Sequence, residues 1–287
     1  MGKVVAMEQR EFISIEEWGH LSEEKRQLVV DAVRKDANTQ TDHEYELVQV
    51  KNSFYLKFGK RFFDIVLGGA ACIIALPINL LLAVVTFFDV GSPVFFKQER
   101  VGKDRKRFNL IKFRNMTNET NEAGVLLPPD QRVTKWGKFV RKTSMDELLN
   151  FWNILKGDMS LIGPRPLPVK YEARYSEYQQ QRHMVKPGLE CPYHDSSLAK
   201  KGWQGRFEND VWYVENVSFS TDVKMFFLLV KKVFSKEERK ESAEGRTGEF
   251  IGCYPDGTAM DEFTIPRKYI DTVSCNEREG KKNEDRI

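Results

Sequence analysis

Ser144-Met145-Asp146-Glu147 places two adjacent carboxylates just ahead of an apolar run. A Ser followed three residues later by Glu is a capping box, in which Ser144 caps a helix and Glu147 reaches back to it. The same physics suits chemistry. A carboxylate at a helix N-terminus is kept ionised and pointed out of the helix end, as a nucleophile or metal ligand must be. From the tetrapeptide alone both readings stand. Its surroundings favour chemistry. Arg141 lies five residues before Asp146, and Arg165 sits in the rigid turn Gly163-Pro164-Arg165-Pro166. Lys112 and Arg114 fall on an expected strand, within a stretch (97–114) holding eight Lys/Arg against two Asp/Glu. Carboxylates with convergent Arg and Lys point to phosphoryl transfer on a bound phosphate. Asp158 suits a supporting role at that site or a turn cap equally well. Such a site calls for Mg²⁺, which binds through one or two carboxylates plus substrate phosphates.

Other chemistries find no support. His183 and His194 form neither a metal spacing nor a triad. No G-x-x-x-x-G-K-[ST] or G-x-G-x-x-G loop is present. Cys72, Cys191, Cys253 and Cys275 are far apart, which suggests neither a zinc site nor a disulfide scaffold and fits a reducing compartment. The 45 Lys+Arg nearly balance 42 Asp+Glu, so a dedicated nucleic-acid binder is not expected. A mean hydropathy of −0.50 excludes a multi-span transporter. Met1 to Arg10 is polar and lacks the apolar core of a signal peptide.

One segment must hold this chemistry at a membrane. Ile65 to Phe88 is 24 residues without a charge. As a helix it would run about 36 Å, enough to cross a hydrocarbon core of roughly 30 Å. Basic residues flank both ends: Lys51, Lys57, Lys60 and Arg61 before it, Lys97, Arg100 and Lys103 after it. A spanning helix usually carries its positive flank on one side only. Pro77 lies mid-segment and favours a kink. Two models fit: a kinked single span, or a re-entrant helix bent near Leu76-Pro77 with both flanks on the cytoplasmic face.

The remaining elements follow from pattern. Ser22 caps a helix expected to reach about Lys35, and Asp36 to His43 reads as a linker. Strands are expected at Val94–Phe96 and Phe108–Met116, with a loop over Asn118–Asp130. Helices are expected at Val133–Arg141, Met145–Leu155 and Pro168–Gln181. Asp222–Phe234 reads either as an interfacial amphipathic helix or as a core helix, and Asn276–Ile287 as a frayed tail.

Several ordered motifs carry a resemblance. Lys60-Arg61-Phe62-Phe63-Asp64 leads into the apolar segment, and Gly91-Ser92-Pro93-Val94-Phe95-Phe96 leaves it. Lys112-Phe113-Arg114-Asn115-Met116 and Arg141-Lys142-Thr143-Ser144-Met145-Asp146-Glu147-Leu148 follow. Asn153-Ile154-Leu155-Lys156-Gly157-Asp158-Met159-Ser160-Leu161-Ile162-Gly163-Pro164-Arg165-Pro166 completes the block. From about Phe54 to Val233 the chain resembles the bacterial sugar transferases, monotopic polyprenyl-phosphate sugar-1-phosphate transferases.

The resemblance implies an α/β fold: a small mixed core with a re-entrant membrane helix hairpin, broken at Pro77, and interfacial amphipathic helices. It implies four parts: an N-terminal extension of unknown role (1–52), the re-entrant helix with basic flanks (53–93), a cytoplasmic-face catalytic domain (94–240) and a partly disordered C-terminal extension (241–287). The implied reaction moves a sugar 1-phosphate from a UDP-sugar to undecaprenyl phosphate, releases UMP and starts a surface glycan. It passes through a covalent phosphosugar-aspartate on Asp146, with Glu147 assisting and Mg²⁺ on Asp146. Arg141, Lys112, Arg114, Pro164, Arg165 and Asp158 form the implied substrate site. The implied place is the bacterial inner membrane, among membrane lipids and downstream glycosyltransferases, with no nucleic acid.

One departure stands out. Where the family commonly continues its Pro-Gly turn with Gly-Trp-x-Gln, Pro187-Gly188 continues with Leu189-Glu190-Cys191-Pro192-Tyr193. Gly202-Trp203-Gln204-Gly205-Arg206 is a candidate displaced equivalent. That departure keeps open a non-catalytic membrane scaffold for glycan assembly; a membrane-bound hydrolase of a lipid diphosphate is a separate alternative.

Overall fold

In the computed structural model, which describes residues 12–40, 47–122, 124–234 and 248–274, two helices precede the apolar run. The first, α1 (Ile15–His20), is capped by Ser14, whose hydroxyl accepts from Glu17 N at 3.1 Å. The second, α2 (Glu23–Gln40), is capped in the same way by Ser22, which accepts from Lys25 N at 3.3 Å. The sequence predicts an end near Lys35 and a linker from Asp36. The helix instead continues to Gln40, because Asp36 is fastened by Lys268 and Tyr269, each at 2.7 Å.

The uncharged run lies inside one helix. A wide helical turn (Tyr55–Gly59) leads into α3 (Lys60–Val90), which continues past Pro77 as one helix, so the expected break into a hairpin at that residue is not present. It is long and apolar enough to cross a membrane. Its buried positions are Lys60, Asp64, Gly68, Ala75, Leu82 and Thr86, spaced by four or seven residues and so on one face. The opposite face is bare, with Ile73 74% and Phe88 82% exposed. That distribution suits a helix whose outer face meets lipid, not the core helix of a soluble protein. Both ends dock on the same globular unit. At the N-terminal end Arg61 donates to Ile154 O at 2.6 Å and Leu155 O at 2.5 Å, and Asp64 accepts from Ser160 Oγ and Leu161 N. At the C-terminal end Thr86 accepts from Trp136 Nε1, Asp89 accepts from Thr134 Oγ1, and Leu82 packs on Phe113 and Val140.

The mixed α/β core is built from small pieces. β1 (Phe95–Val101) and β2 (Arg107–Phe113) pair antiparallel with Phe96 opposite Lys112. β1 is longer than the predicted Val94–Phe96, and β2 stops three residues short of Met116. A short helix, α4 (Pro129–Arg132), closes the predicted loop, and α5 (Lys135–Lys142) is capped by Thr134. Residues Met145–Leu155 do not form one helix. A single 3₁₀ turn (Met145–Glu147) precedes α6 (Asn150–Lys156), which ends at Gly157 with φ of 96°. β3 (Ser160–Ile162) runs parallel to β4 (Gly188–Glu190). Between them the predicted Pro168–Gln181 helix breaks into a 3₁₀ segment (Val169–Arg174) and α7 (Glu177–Gln180), because Ser176 and Gln179 form a fresh capping box. The chain then forms α8 (Gly202–Asn216) and α9 (Phe219–Phe234).

The two extensions share one core. β5 (Phe250–Cys253), β6 (Ala259–Asp261) and helical residues 267–274 bring Ile251, Met260, Ile265 and Tyr269 against Trp18, Val29, Val30 and Val33 of α1 and α2. The predicted frayed tail at Asn276–Ile287 lies outside the described residues.

Gly163 and Gly188 let the β3 and β4 ends approach closely: a Cβ on Gly188 would lie 2.2 Å from Gly163 N. Gly188→Ala should therefore cost about 1–3 kcal/mol by overpacking. Gly19→Ala meets nothing within 4 Å and should gain up to about 1 kcal/mol of helix propensity. Thermal unfolding in detergent should show a lowered midpoint for the first and an equal or raised midpoint for the second.

Candidate active site

The carboxylate pair is presented by local geometry that the capping-box reading does not anticipate. Ser144 takes the left-handed conformation at φ 55°, and its side chain caps nothing. The box is therefore not formed. Glu147 turns instead toward two cations. Lys112 Nζ lies 3.1 Å from Glu147 Oε1 and 3.7 Å from Asp146 Oδ2. Arg165 donates to the same Glu147 oxygen and, through its other terminal nitrogen, to Leu189 O at 3.0 Å. Asp146 itself is buried, at 7% exposure.

Each cation is held in place. Lys112 stands on β2, and Arg165 follows β3 in the turn whose Pro164 carbonyl accepts from Gly188 N at 3.0 Å. The Arg165 carbonyl accepts from Arg182 at 2.8 Å. Arg182 is buried and paired with Asp210 at 2.7 Å, so the turn rests on an internal ion pair. Glu190 adds a second carboxylate 3.7 Å from Arg165.

These neighbours separate the two acids. Burial pushes the Asp146 carboxyl above its ordinary 3.8, and the Lys112 charge only partly offsets it. Burial acts on Glu147 too, but the Arg165 and Lys112 charges outweigh it and hold that carboxyl down to about 2. Burial alone would lower the Arg165 pKa, and the Glu147 and Glu190 charges raise it instead. Near neutral pH Glu147 is a fixed anion that positions cations, while Asp146 is the less constrained oxygen donor.

The structure gathers Asp146, Glu147, Lys112, Arg165 and Pro164, with Arg141 at the edge. Arg141 is exposed, donates to Asn115 Oδ1 at 2.9 Å, and its charge reaches Asp146. Two predicted residues have other partners. Arg114 donates to Gly91 O at 3.0 Å and Ser92 O at 3.2 Å, tying the end of β2 to the end of α3. Asp158 pairs with Lys156 at 2.9 Å in the turn after α6. Pro77 lies within α3, apart from this cluster.

Sequence reasoning passed over Arg100 and Asn150. Both line a small cavity with Lys112, Glu147, Arg165 and Leu189. Arg100 was one cation among eight, and only the fold shows it donating to Pro166 O at 3.3 Å. Asn150 Oδ1 is buried without a hydrogen-bond partner. Its signal was its place four residues after Asp146, one helical turn on. The Gly202–Arg206 run does not replace the missing motif. Trp203 is buried with Nε1 on Gly248 O at 2.8 Å, and Gln204 accepts from Ala259 N at 2.8 Å, so the run secures β5 and β6.

Among the described residues no three His, Cys, Asp or Glu side chains gather around a common point. Asp146 supplies a hard oxygen donor of the kind Mg²⁺ takes alongside substrate phosphates.

The bacterial sugar transferase profile matches residues 55–236. The chain belongs to that family. It is 43% identical over 194 residues to an uncharacterized sugar transferase, EpsL, of Bacillus subtilis, covering 67% of this chain and 96% of the relative. It is 39% identical over 191 residues to a UDP-glucose:undecaprenyl-phosphate glucose-1-phosphate transferase of Klebsiella pneumoniae, covering 61% of this chain and 40% of the relative. It is 33% identical over 201 residues to a UDP-N-acetylgalactosamine-undecaprenyl-phosphate N-acetylgalactosaminephosphotransferase of Aeromonas hydrophila, covering 67% and 48%. The chain thus spans under half the length of these two named transferases.

The different partners of two arginines make a direct test. Arg114→Gln should lower stability by about 1–3 kcal/mol, because the Gly91 and Ser92 carbonyls lose a charged donor. Arg141→Gln, at an exposed position, should stay within about 0.5 kcal/mol of the parent. Denaturant unfolding in detergent separates them.

Proposed function

We propose that this sugar transferase moves a sugar 1-phosphate from a UDP-sugar to undecaprenyl phosphate and releases UMP, initiating a surface glycan. The observation that carries the reading is the site itself: a buried Asp146 carboxylate beside a Glu147 that fixes Lys112 and Arg165. The family membership and the activities named for the Klebsiella and Aeromonas relatives support the same reaction.

The chemistry follows from the roles. An Asp146 oxygen attacks the sugar-bearing phosphorus of the donor. The bond from that phosphorus to the bridging oxygen breaks, and UMP leaves with the electron pair. A phosphate oxygen of undecaprenyl phosphate then attacks the same phosphorus and expels the Asp146 carboxylate. Neither step needs a general base, since both nucleophiles are already anions. Glu147, held down to about 2, is a poor proton donor at neutral pH and acts by orienting Lys112 and Arg165. Those cations, with Arg141 and Arg100 nearby, stabilise the developing phosphoryl charge. Mg²⁺, if held by Asp146, would neutralise charge on the adjacent phosphates.

A re-entrant seat for α3 belongs to this proposal. Both helix ends bind one globular unit, at Ile154–Leu161 and at Trp136–Thr134, which a straight span with ends on opposite faces would not favour. The bare apolar face of α9, including Phe226 at 40% and Phe227 at 65% exposed, suits the interface plane. The enzyme would then work from the cytoplasmic face of the inner membrane, among its lipids, and hand product to downstream glycosyltransferases.

The test is UMP release from a panel of UDP-sugars with Mg²⁺ and undecaprenyl phosphate. Lipid-dependent release should fall by about 10³-fold or more in Asp146→Asn. Full turnover by that variant would overturn the assignment. Because Asp146 must be ionised to attack, the acid limb of kcat/KM should lie above 3.8. Lys112 favours the ionised form, so Lys112→Met should move that limb to still higher pH, read from the same rates across pH.

A further inference from the structure

A cavity of about 290 Å³ opens between the start of α3, β3 and α9. Its rim is Phe63, Leu67, Phe219, Val223, Phe226 and Phe227, all between 36% and 65% exposed. Its floor is polar but already satisfied. The three protons of the Lys60 ammonium go to Asp222 at 2.6 Å, Tyr213 Oη at 2.9 Å and Ile162 O at 3.0 Å. Asp222 also accepts from Tyr55 and Tyr213. Asp64 accepts from Ser160 Oγ at 2.8 Å and Leu161 N at 3.0 Å. No floor group calls for a charged ligand, and what the cavity offers is apolar wall. Its volume is near the lower end for ligand pockets, roughly 300–1,000 Å³, so it suits part of a long hydrocarbon rather than a whole headgroup.

Two features select the hydrocarbon. The rim is continuous with the bare apolar face of α3, so a chain enters from lipid without crossing water. The inner wall is Leu161 and Ile162 of β3, and the backbone continues from Ile162 to Arg165 in three residues. At about 3.3 Å per residue that is roughly 10 Å of extended chain. A hydrocarbon in this groove therefore has its head within reach of the Arg165 and Lys112 cations. We propose that the groove seats the first isoprene units of the polyprenyl acceptor and delivers its phosphate to the site. This rests on the transferase reading above. The broad ring faces of Phe63, Phe219, Phe226 and Phe227 suit a branched, methyl-bearing chain.

Val223→Trp and Leu67→Trp fill the groove from its exposed rim. Each should raise KM for undecaprenyl phosphate about tenfold, the loss of one or two buried methylenes. The burst of UMP that follows mixing with UDP-sugar alone should be unchanged. A photoactivatable polyprenyl phosphate should crosslink to rim residues of the full-length protein. Excess undecaprenyl phosphate should displace it, and phosphatidylglycerol should not. An unchanged KM in both variants overturns the proposal, as does equal displacement by both lipids, which marks a groove for bulk lipid. If both variants lose the burst through misfolding, the crosslink decides. Absence of a burst in the parent protein with every donor counts against the transferase reading and not against the groove.

Discussion

One oxygen of Glu147 holds the candidate site together. Lys112 from β2 and Arg165 from the turn after β3 both bond to Glu147 Oε1, so one carboxylate joins elements far apart in sequence. Three charges in a partly buried place are costly unless paired. Here one anion serves two cations, Glu190 supplies more negative charge to Arg165, and the remaining cationic character points toward the neighbouring Asp146. The cluster thus stays assembled while leaving one buried carboxylate with only a loose side-chain partner. Its division of labour is electrostatic. The paired acid is held as an anion, and burial keeps the pKa of the less paired acid raised.

A second node fixes this site to the membrane element. Lys60, at the foot of α3, reaches Asp222 of α9, Tyr213 of α8 and the Ile162 carbonyl of β3. Arg61 holds the last carbonyls of α6, the favourable end of that helix for a cation. Both residues count as a basic flank when only the sequence is read. In the fold neither is spent on headgroups. They weld the apolar helix to the strand that leads into Arg165 and to the helix that follows Asp146. Placement of the apolar helix and placement of the candidate site are therefore one structural problem.

The sequence made part of this legible. Adjacent carboxylates, a rigid Gly-Pro-Arg-Pro turn and an uncharged 24-residue run are local signals, and each corresponds to a real feature. Long-range partners were less visible. Lys112 and Arg114 share a face only while the strand alternates, and β2 ends at Phe113, so Arg114 turns to the end of α3 instead. Ser144 fits a capping box by type, but its left-handed backbone turns Glu147 away from it. Asp158 is acidic and near the site in sequence, yet its neighbour Lys156 takes it. Arg100 carried no distinctive local signal and Asn150 only its spacing from Asp146, and the packing of β1 and α6 brings both to the cavity. The union of the two terminal extensions was equally hidden, because its hydrophobic contacts join residues more than 200 positions apart.

The central claim is that Asp146 is the atom donor in a covalent step. The direct measurement is mass spectrometry of the protein after brief incubation with UDP-sugar and no acceptor. A sugar-phosphate adduct is expected on the peptide bearing Asp146, removed when undecaprenyl phosphate is added. Turnover with no adduct, or an adduct on a different residue, would contradict it.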